Sequence, residues 1–301
     1  MLPFVFVDES KLGPLHPYGI MCALGFFAWD WAVMRQATRR GLDRADFRAL
    51  TVWLLVVGVL FAWIVDGVFY HPPGHSVASS LSSLQGFSST GGVVGATVGA
   101  YAWRHLFVGR VDGKLRVMRR ATPEPMMPIA DVIVSTWPLG WAIGRLGCAI
   151  IHDHPGVTVP KGTLASLFAV AWPRDALDGV HHVLGPIHVV TGGSDARFDL
   201  GLLEAVVLGA IALGFSRTWK RGLRPGRYVA VGSIVYGVAR FALDFLRMHE
   251  GPHSDLRHAG LTFAQYFSLA IIALGVGVTL WMRGQPREGA ELPREAAETA
   301  S

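Results

Sequence analysis

Charge is scarce in this chain of 301 residues: Asp, Glu, Lys and Arg together make up 16%, against about 25% in soluble domains. A polar-coated globule is excluded by that deficit. Cysteine is nearly absent, with only Cys22 and Cys148, and both stand in apolar runs, so a disulfide framework of the secreted kind is not expected. No internal repeat is visible, which sets aside repeat architectures. The first ten residues carry Asp8 and Glu9 but no Lys or Arg, so no cleaved signal peptide is expected. What is abundant is apolar surface. Hydrophobic residues reach 51%, with ten Trp, sixteen Phe and 36 Gly, and the mean hydropathy of +0.38 excludes intrinsic disorder.

A hydrocarbon core about 30 Å thick needs roughly 17 to 25 helical residues to cross it. Stretches of that kind lie at about 17–34, 49–70, 86–108, 128–151, 199–216, 228–247 and 261–282. The net charge of +5 and a pI near 9.5 would suit nucleic acid, but the basic residues fall in short clusters between these stretches, and no nucleic-acid partner is expected. Arg35, Arg39, Arg40, Arg44 and Arg48 follow the first stretch, six basic residues from Arg104 to Arg120 the third, five from Arg217 to Arg227 the fifth, and Arg283, Arg287 and Arg294 the seventh. The alternate connections hold only Lys11, Lys161, Arg174, Arg197 and Arg257. Because cytoplasmic loops retain the excess of Lys and Arg, the expectation is an all-α polytopic membrane protein of seven transmembrane helices, N-terminus outside and C-terminus cytoplasmic. Its membrane domain would span 1–282, with a small external cap at about 152–198, and 283–301 would form a disordered cytoplasmic tail.

An ionised side chain at mid-membrane costs about 2.5 to 3.5 kcal/mol on insertion scales, so each one needs a partner or a task. Tyr236, Arg240, Asp244 and Arg247 stand four, four and three apart in the sixth stretch, which places them on one helical face. Asp244 can neutralise Arg240 or Arg247 but not both, leaving a positive charge for an anion. The plainer alternative is a structural ion pair with Arg247 reaching to the outer surface. In the fourth stretch Arg145 is flanked by Gly144 and Gly147, which let a backbone or a ligand approach closely. Arginine suits phosphate because its planar fork donates parallel charge-assisted hydrogen bonds, so converging arginines point to a lipid headgroup. The third stretch opens with Ser79, Ser80, Ser82, Ser83, Gln85, Ser88, Ser89 and Thr90, followed by Gly91, Gly95 and Gly99. The hydroxyls could line a polar cavity or bond back to carbonyls, and the glycines form a small-residue stripe for close helix contact.

Taken in order, the motifs resemble the bacterial prolipoprotein diacylglyceryl transferase family over nearly the whole chain. His16-Pro17-Tyr18-Gly19 is similar to the start of its first span, Gly86-Phe87-Ser88-Ser89-Thr90-Gly91-Gly92 to its third-span motif, and Gly144-Arg145-Leu146-Gly147 to the start of its fourth-span signature. Leu202-Leu203-Glu204 resembles the close of a Gln-Leu-Tyr-Glu segment. Residues 224–247 resemble the penultimate span, where Tyr-Gly-x-x-Arg-Phe-x-x-Glu-x-x-Arg is usual, and Leu261-Thr262 with Gln265 and Ser268 resembles the start of the last.

The resemblance implies a multi-pass inner-membrane enzyme whose active site opens toward the periplasm. Its substrates would be phosphatidylglycerol and the lipobox cysteine of a prolipoprotein, its setting membrane lipid, and no cofactor or metal is implied. Arg145 and Arg240 would stabilise the charge developing on the phosphate, Asp244 would orient Arg240 or Arg247, and His16 or Tyr18 would position the headgroup or take the thiol proton. Tyr236, Arg247, Thr90, Gly91, Gly92, Asp153, His154 and Glu204 are expected on the substrate side. Two departures stand out. The family's third-span histidine falls at Thr90, and its Gly-Asn-Phe-Ile-Asn-Gly-Glu segment is replaced by Gly147-Cys148-Ala149-Ile150-Ile151-His152-Asp153. Either the base has migrated or the reaction has changed, the latter giving a divergent paralogue that binds anionic phospholipid and performs another headgroup transfer or none. His152 is a candidate migrated base. Cys148 with His152 could instead be a nucleophile and its base, or His152 and His154 could hold a metal with Asp153, His181, His182 or His188.

Overall fold

The computed structural model describes residues 1–8, 10, 12–13, 15–69, 87–175, 178–221, 224–249 and 255–285. Ser79, Ser80, Ser82, Ser83, Gln85 and Gly86 of the expected polar segment lie outside the described residues, as does the tail from Pro286 onward.

Each of the seven apolar stretches holds a helix: α1 (Pro17–Arg39), α2 (Arg44–Phe69), α3 (Ser89–His105), α4 (Met126–Ile151), α5 (Leu200–Thr218), α6 (Arg227–Leu243) and α7 (Phe263–Gly284). Five of them are long and apolar enough to cross a membrane: α2, α4, α5, α6 with its continuation to Leu246, and α7. The remaining two differ, since α3 has only 17 residues and α1 carries Asp30, Arg35 and Arg39. The third stretch also ends sooner than expected. After His105 the chain enters a hairpin of β2 (Leu106–Val111) and β3 (Lys114–Arg119), turned by Asp112 and Gly113 at φ of 52° and 75°. Two adjacent positive φ values match the twist of a two-residue hairpin loop.

The chain divides into two compact units. One comprises Asp30–Val134, Trp219–Val231 and Leu274–Ser301. Here α2 and α3 meet along the glycine stripe. A Cβ at Gly91 would lie 2.5 Å from the Phe61 carbonyl oxygen, and one at Gly95 2.7 Å from that of Val57, so glycine is what permits the approach. Trp53 Nε1 donates to the Gly99 carbonyl at 3.0 Å. The start of α3 is set by Ser88, whose hydroxyl accepts from Gly91 N, while Ser88 N donates to the Ala62 carbonyl. The start of α6 is set differently: buried Asp131 of α4 accepts from Gly226 N at 2.8 Å and Val229 N at 3.0 Å. A carboxylate at a helix N-terminus satisfies orphan amides and meets the positive end of the dipole.

The other unit comprises Met1–Trp29, Ser135–Thr218 and Gly232–Ala273. There α1 crosses α4 at Gly25 and Gly140, where an added Cβ would stand 2.5 and 2.6 Å from the opposite carbonyl oxygen. Two small sheets follow α4. The first has the order β1 (Phe4–Val7), β7 (Ile187–Thr191), β6 (Val180–Leu184); the second has β4 (Pro155–Thr158), β8 (Asp195–Asp199), β5 (Val170–Trp172). The 152–198 insertion is therefore a folded β element completed by the N-terminal strand, with β1 antiparallel to β7 in the register Phe4↔Val190. Val159, Ala169 and Ala196 form its small core with Phe198 against it.

Candidate active site

Three guanidinium groups and two carboxylates form one buried cluster in this second unit. Arg145 comes from α4, Glu204 from α5 and Arg240 from α6; Asp244 opens the 3-10 turn Asp244–Leu246, and Arg247 follows it. The Arg145 Nε lies 3.0 Å from Glu204 Oε2, and the same oxygen lies 3.5 Å from Arg240. Asp244 Oδ1 is 3.5 Å from Arg240 and 3.3 Å from Arg247, which also reaches Asp255 at 3.2 Å. Tyr236 donates its hydroxyl proton to Glu204 Oε1 at 2.8 Å. None of the five charged residues exceeds 7% exposure. Removing such charges from water costs several kcal/mol each unless partners surround them, and here carboxylates alternate with guanidiniums along the chain of contacts.

The expectation of one continuous helical face is corrected at its end. The α-helix stops at Leu243, and Arg247 has extended backbone at φ −71° and ψ 145°. It is held instead by an antiparallel bridge with Gly156 and turns inward, so it is buried rather than reaching for the outer surface. Asp244 contacts both neighbouring arginines rather than one. Thr262 donates to Asp244 Oδ2, and its hydroxyl also accepts from Gln265 N while Gln265 Oε1 accepts from Thr262 N at 3.0 Å. This reciprocal capping box ties the start of α7 to the cluster.

Close helix crossings set the geometry. A Cβ on Gly201 would come within 2.9 Å of Ala149 N and 3.2 Å of the Arg145 carbonyl oxygen, and one on Gly147 within 2.9 Å of Met21 Cβ and 3.2 Å of the Tyr18 ring, whereas Gly144 faces open space. The two glycines beside Arg145 thus serve different ends.

Beyond α4 the chain turns sharply at His152, whose φ is 52°, a left-handed helix stop. This separates the two neighbouring histidines. His152 Nε2 meets the Val5 carbonyl oxygen at 3.0 Å, Nδ1 meets Asp199 Oδ2 at 2.7 Å, and the ring stacks on Phe4 with centroids 3.8 Å apart. Both ring nitrogens face acceptors, so the alternative of a Cys148–His152 pair is not made. Cys148 accepts from the Arg145 guanidinium at 3.5 Å, and its sulfur groups with ligand atoms of Asp153 and His154 within 4.8 Å of one another. Burial, with Arg145, Arg247 and Arg240 nearby, holds the His154 imidazole well below its ordinary proton affinity. Burial raises the Asp153 carboxyl, against the pull of Arg145. Of the metal-binding set suggested by spacing, His188 stacks on Phe6 with Asp8 at 3.9 Å, and His181 and His182 stand on exposed β6. Only Asp153 and His154 come together, beside guanidiniums that favour an anion over a cation.

Residues 10–281 match the family described as Prolipoprotein diacylglyceryl transferase. The chain belongs to that family. It is similar to a protein of Chromohalobacter salexigens named phosphatidylglycerol--prolipoprotein diacylglyceryl transferase, 26% identical over 303 residues covering 97% of this chain and 98% of the relative. Relatives of the same name from Stenotrophomonas maltophilia and Ruegeria pomeroyi are 28% and 27% identical, over 94% and 86% of this chain and the same shares of each relative.

In this transferase-family chain Arg145, Arg240, Arg247, Asp244, Glu204 and Tyr236 stand together, with Asp153 and His154 beside them. Tyr18 is half-buried on α1 near Gly147, and exposed His16 meets it edge-on with centroids 6.5 Å apart. Thr90, Gly91 and Gly92 belong to the other compact unit, at the start of α3, with Gly91 against α2. Asp199, Asp255, Thr262 and Gln265 were not singled out as site residues by sequence. The Thr-x-x-Gln spacing at the last helix was the one available signal for the capping pair.

Proposed function

We propose that this protein transfers the diacylglyceryl group of phosphatidylglycerol to the lipobox cysteine thiol of prolipoproteins. The observation that carries the proposal is the buried cluster in which Arg145, Arg240 and Arg247 share Glu204 and Asp244. In this assignment the three guanidiniums hold the phosphate and stabilise the charge that grows on it as the glyceryl carbon–oxygen bond breaks. Glu204 and Asp244 are positioning residues, and Tyr236 fixes Glu204. Tyr18 and His16, on the same compact unit as the cluster, are assigned to the headgroup or the incoming thiol.

The same proposal places seven helices across the bacterial inner membrane with the site facing the periplasm. The bias of Lys and Arg among the connections supports this orientation. Exposed Leu24, Phe27 and Trp31 on α1, and Val98 and Tyr101 on α3, give the two less apolar helices lipid-compatible surfaces. Purified protein supplied with phosphatidylglycerol vesicles and a lipobox peptide is expected to yield a thioether-linked diacylglyceryl peptide by mass spectrometry. Thr90 and Cys148, where the family pattern has histidine and asparagine, favour the second possibility of a paralogue that only binds anionic lipid. Headgroup binding without thioether product would select it.

A further inference from the structure

The transferase proposal leaves the acceptor thiol without an assigned base, and resting on that proposal we infer that His154 is the base and becomes competent when an anionic phosphate occupies the arginine cluster. His154 follows the turn at His152, with 28% of its side chain exposed, and its Nε2 is 3.7 Å from Asp153 Oδ2. Its ring groups with the Cys148 sulfur and an Asp153 oxygen within 4.8 Å, that sulfur is held by Arg145 of α4 at 3.5 Å, and Arg240 of α6 and Arg247 beyond the 3-10 turn are the other charges that act on it. The other Asp153 oxygen is buried with no hydrogen-bond donor among the described residues.

Burial first, and then the three guanidiniums, favour the neutral form of the imidazole, which keeps a lone pair but makes a weak base. A phosphodiester bound to those guanidiniums supplies a negative charge at the same place and offsets them. The proton affinity of His154 then rises toward the neutral range, where a general base is most effective. His152, with both ring nitrogens already facing acceptors, has no equivalent freedom.

The step balances without a further reactant. The imidazole nitrogen takes the thiol proton, and the sulfur electron pair forms the carbon–sulfur bond to the glyceryl carbon. The carbon–oxygen bond to phosphate breaks with its electron pair left on the phosphate oxygen, and the imidazolium returns its proton to the released phosphate monoester. Nothing is oxidised or reduced.

The test is calorimetric titration of the purified full-length protein with glycerophosphoglycerol, a phosphodiester that does not itself titrate near neutrality, at about pH 6 in buffers of different ionisation enthalpy. Fractional proton uptake per probe bound is expected, absent in H154Q, which still binds the probe. Probe binding to the wild-type protein with no proton exchange would overturn the assignment while leaving the phosphate site standing. Uptake that persists in H154Q would move the base to Asp153, and loss of probe binding in H154Q would make His154 a ligand of the anion; either result rejects the inference. No probe binding to the wild-type protein would remove the phosphate site itself.

Discussion

Arg145 and Arg240 come from different helices yet approach the same atom, Glu204 Oε2, at 3.0 and 3.5 Å. That shared oxygen fixes the separation of two guanidiniums in an apolar setting, the spacing on which the proposed grip on phosphate depends. It also makes each arginine hard to remove, because its loss strands a buried carboxylate.

Arg240→Ala is therefore expected to lower thioether formation by at least about a hundredfold, the range seen when one donor to a developing oxyanion is deleted. The protein should still fractionate with membranes. Arg240→Lys keeps the charge but loses the fork, and is expected to recover only a minor part of the rate. Product formation by mass spectrometry checks both, and near-normal turnover in either variant would place the phosphate elsewhere.

His152→Gln is expected to act on stability. The substitution disturbs Val5 and Asp199, with a cost of about 1–3 kcal/mol for each buried polar atom left without a partner. Thermal melting should fall while the pH dependence of turnover in the folded fraction stays as in the wild-type protein. A changed pH profile would make His152 part of the chemistry.

Stability itself should depend on pH through His154. Its folded proton affinity is depressed, by burial first and then by the three arginines, so below about pH 6.5 the unfolded chain binds more protons than the folded one. Its contribution is present above that pH and is lost as pH falls. Melting temperatures taken from about pH 8 down to about pH 5.5 should decline, and His154→Gln should flatten the decline. An equal decline in the variant would assign it to other groups.

Two glycines provide a paired test of geometry. At Gly201 a methyl group meets backbone of α4 on either side of Cys148, and Gly201→Ala is expected to cost about 1–3 kcal/mol through overpacking and to lower turnover by displacing Arg145. At Gly144 the same change meets nothing within 4 Å, so the melting temperature should hold or rise slightly. Equal effects at both positions would contradict the described crossing.

The helices were legible because each is a long apolar run. Their ends were less so, since capping by Ser88 or Asp131 depends on side chains that sequence alone does not pair with their targets. The strands were not legible at all. Phe4–Val7 finds its partner at Ile187–Thr191, a pairing with no local period to announce it, and the 3-10 turn that carries Asp244 is hidden inside an apolar stretch. Within the site the polar stripe of Tyr236, Arg240 and Asp244 was visible as charge at helical spacing, and Arg145 by its glycines. Glu204 was visible only as part of a motif; its position between two arginines required the fold. The left-handed turn at His152 was not legible either, and it gives His152 and His154, two residues apart, different neighbours.

Asp244 touches two arginines with one oxygen, and with the other it accepts from Thr262, the residue that begins the last helix. Any negative group that draws the arginines away from Asp244 also alters how firmly that carboxylate holds Thr262. The first turn of α7 thus becomes a reporter of occupancy: amide exchange at Gln265, whose N–H is bonded to the Thr262 hydroxyl, should slow or quicken with loading.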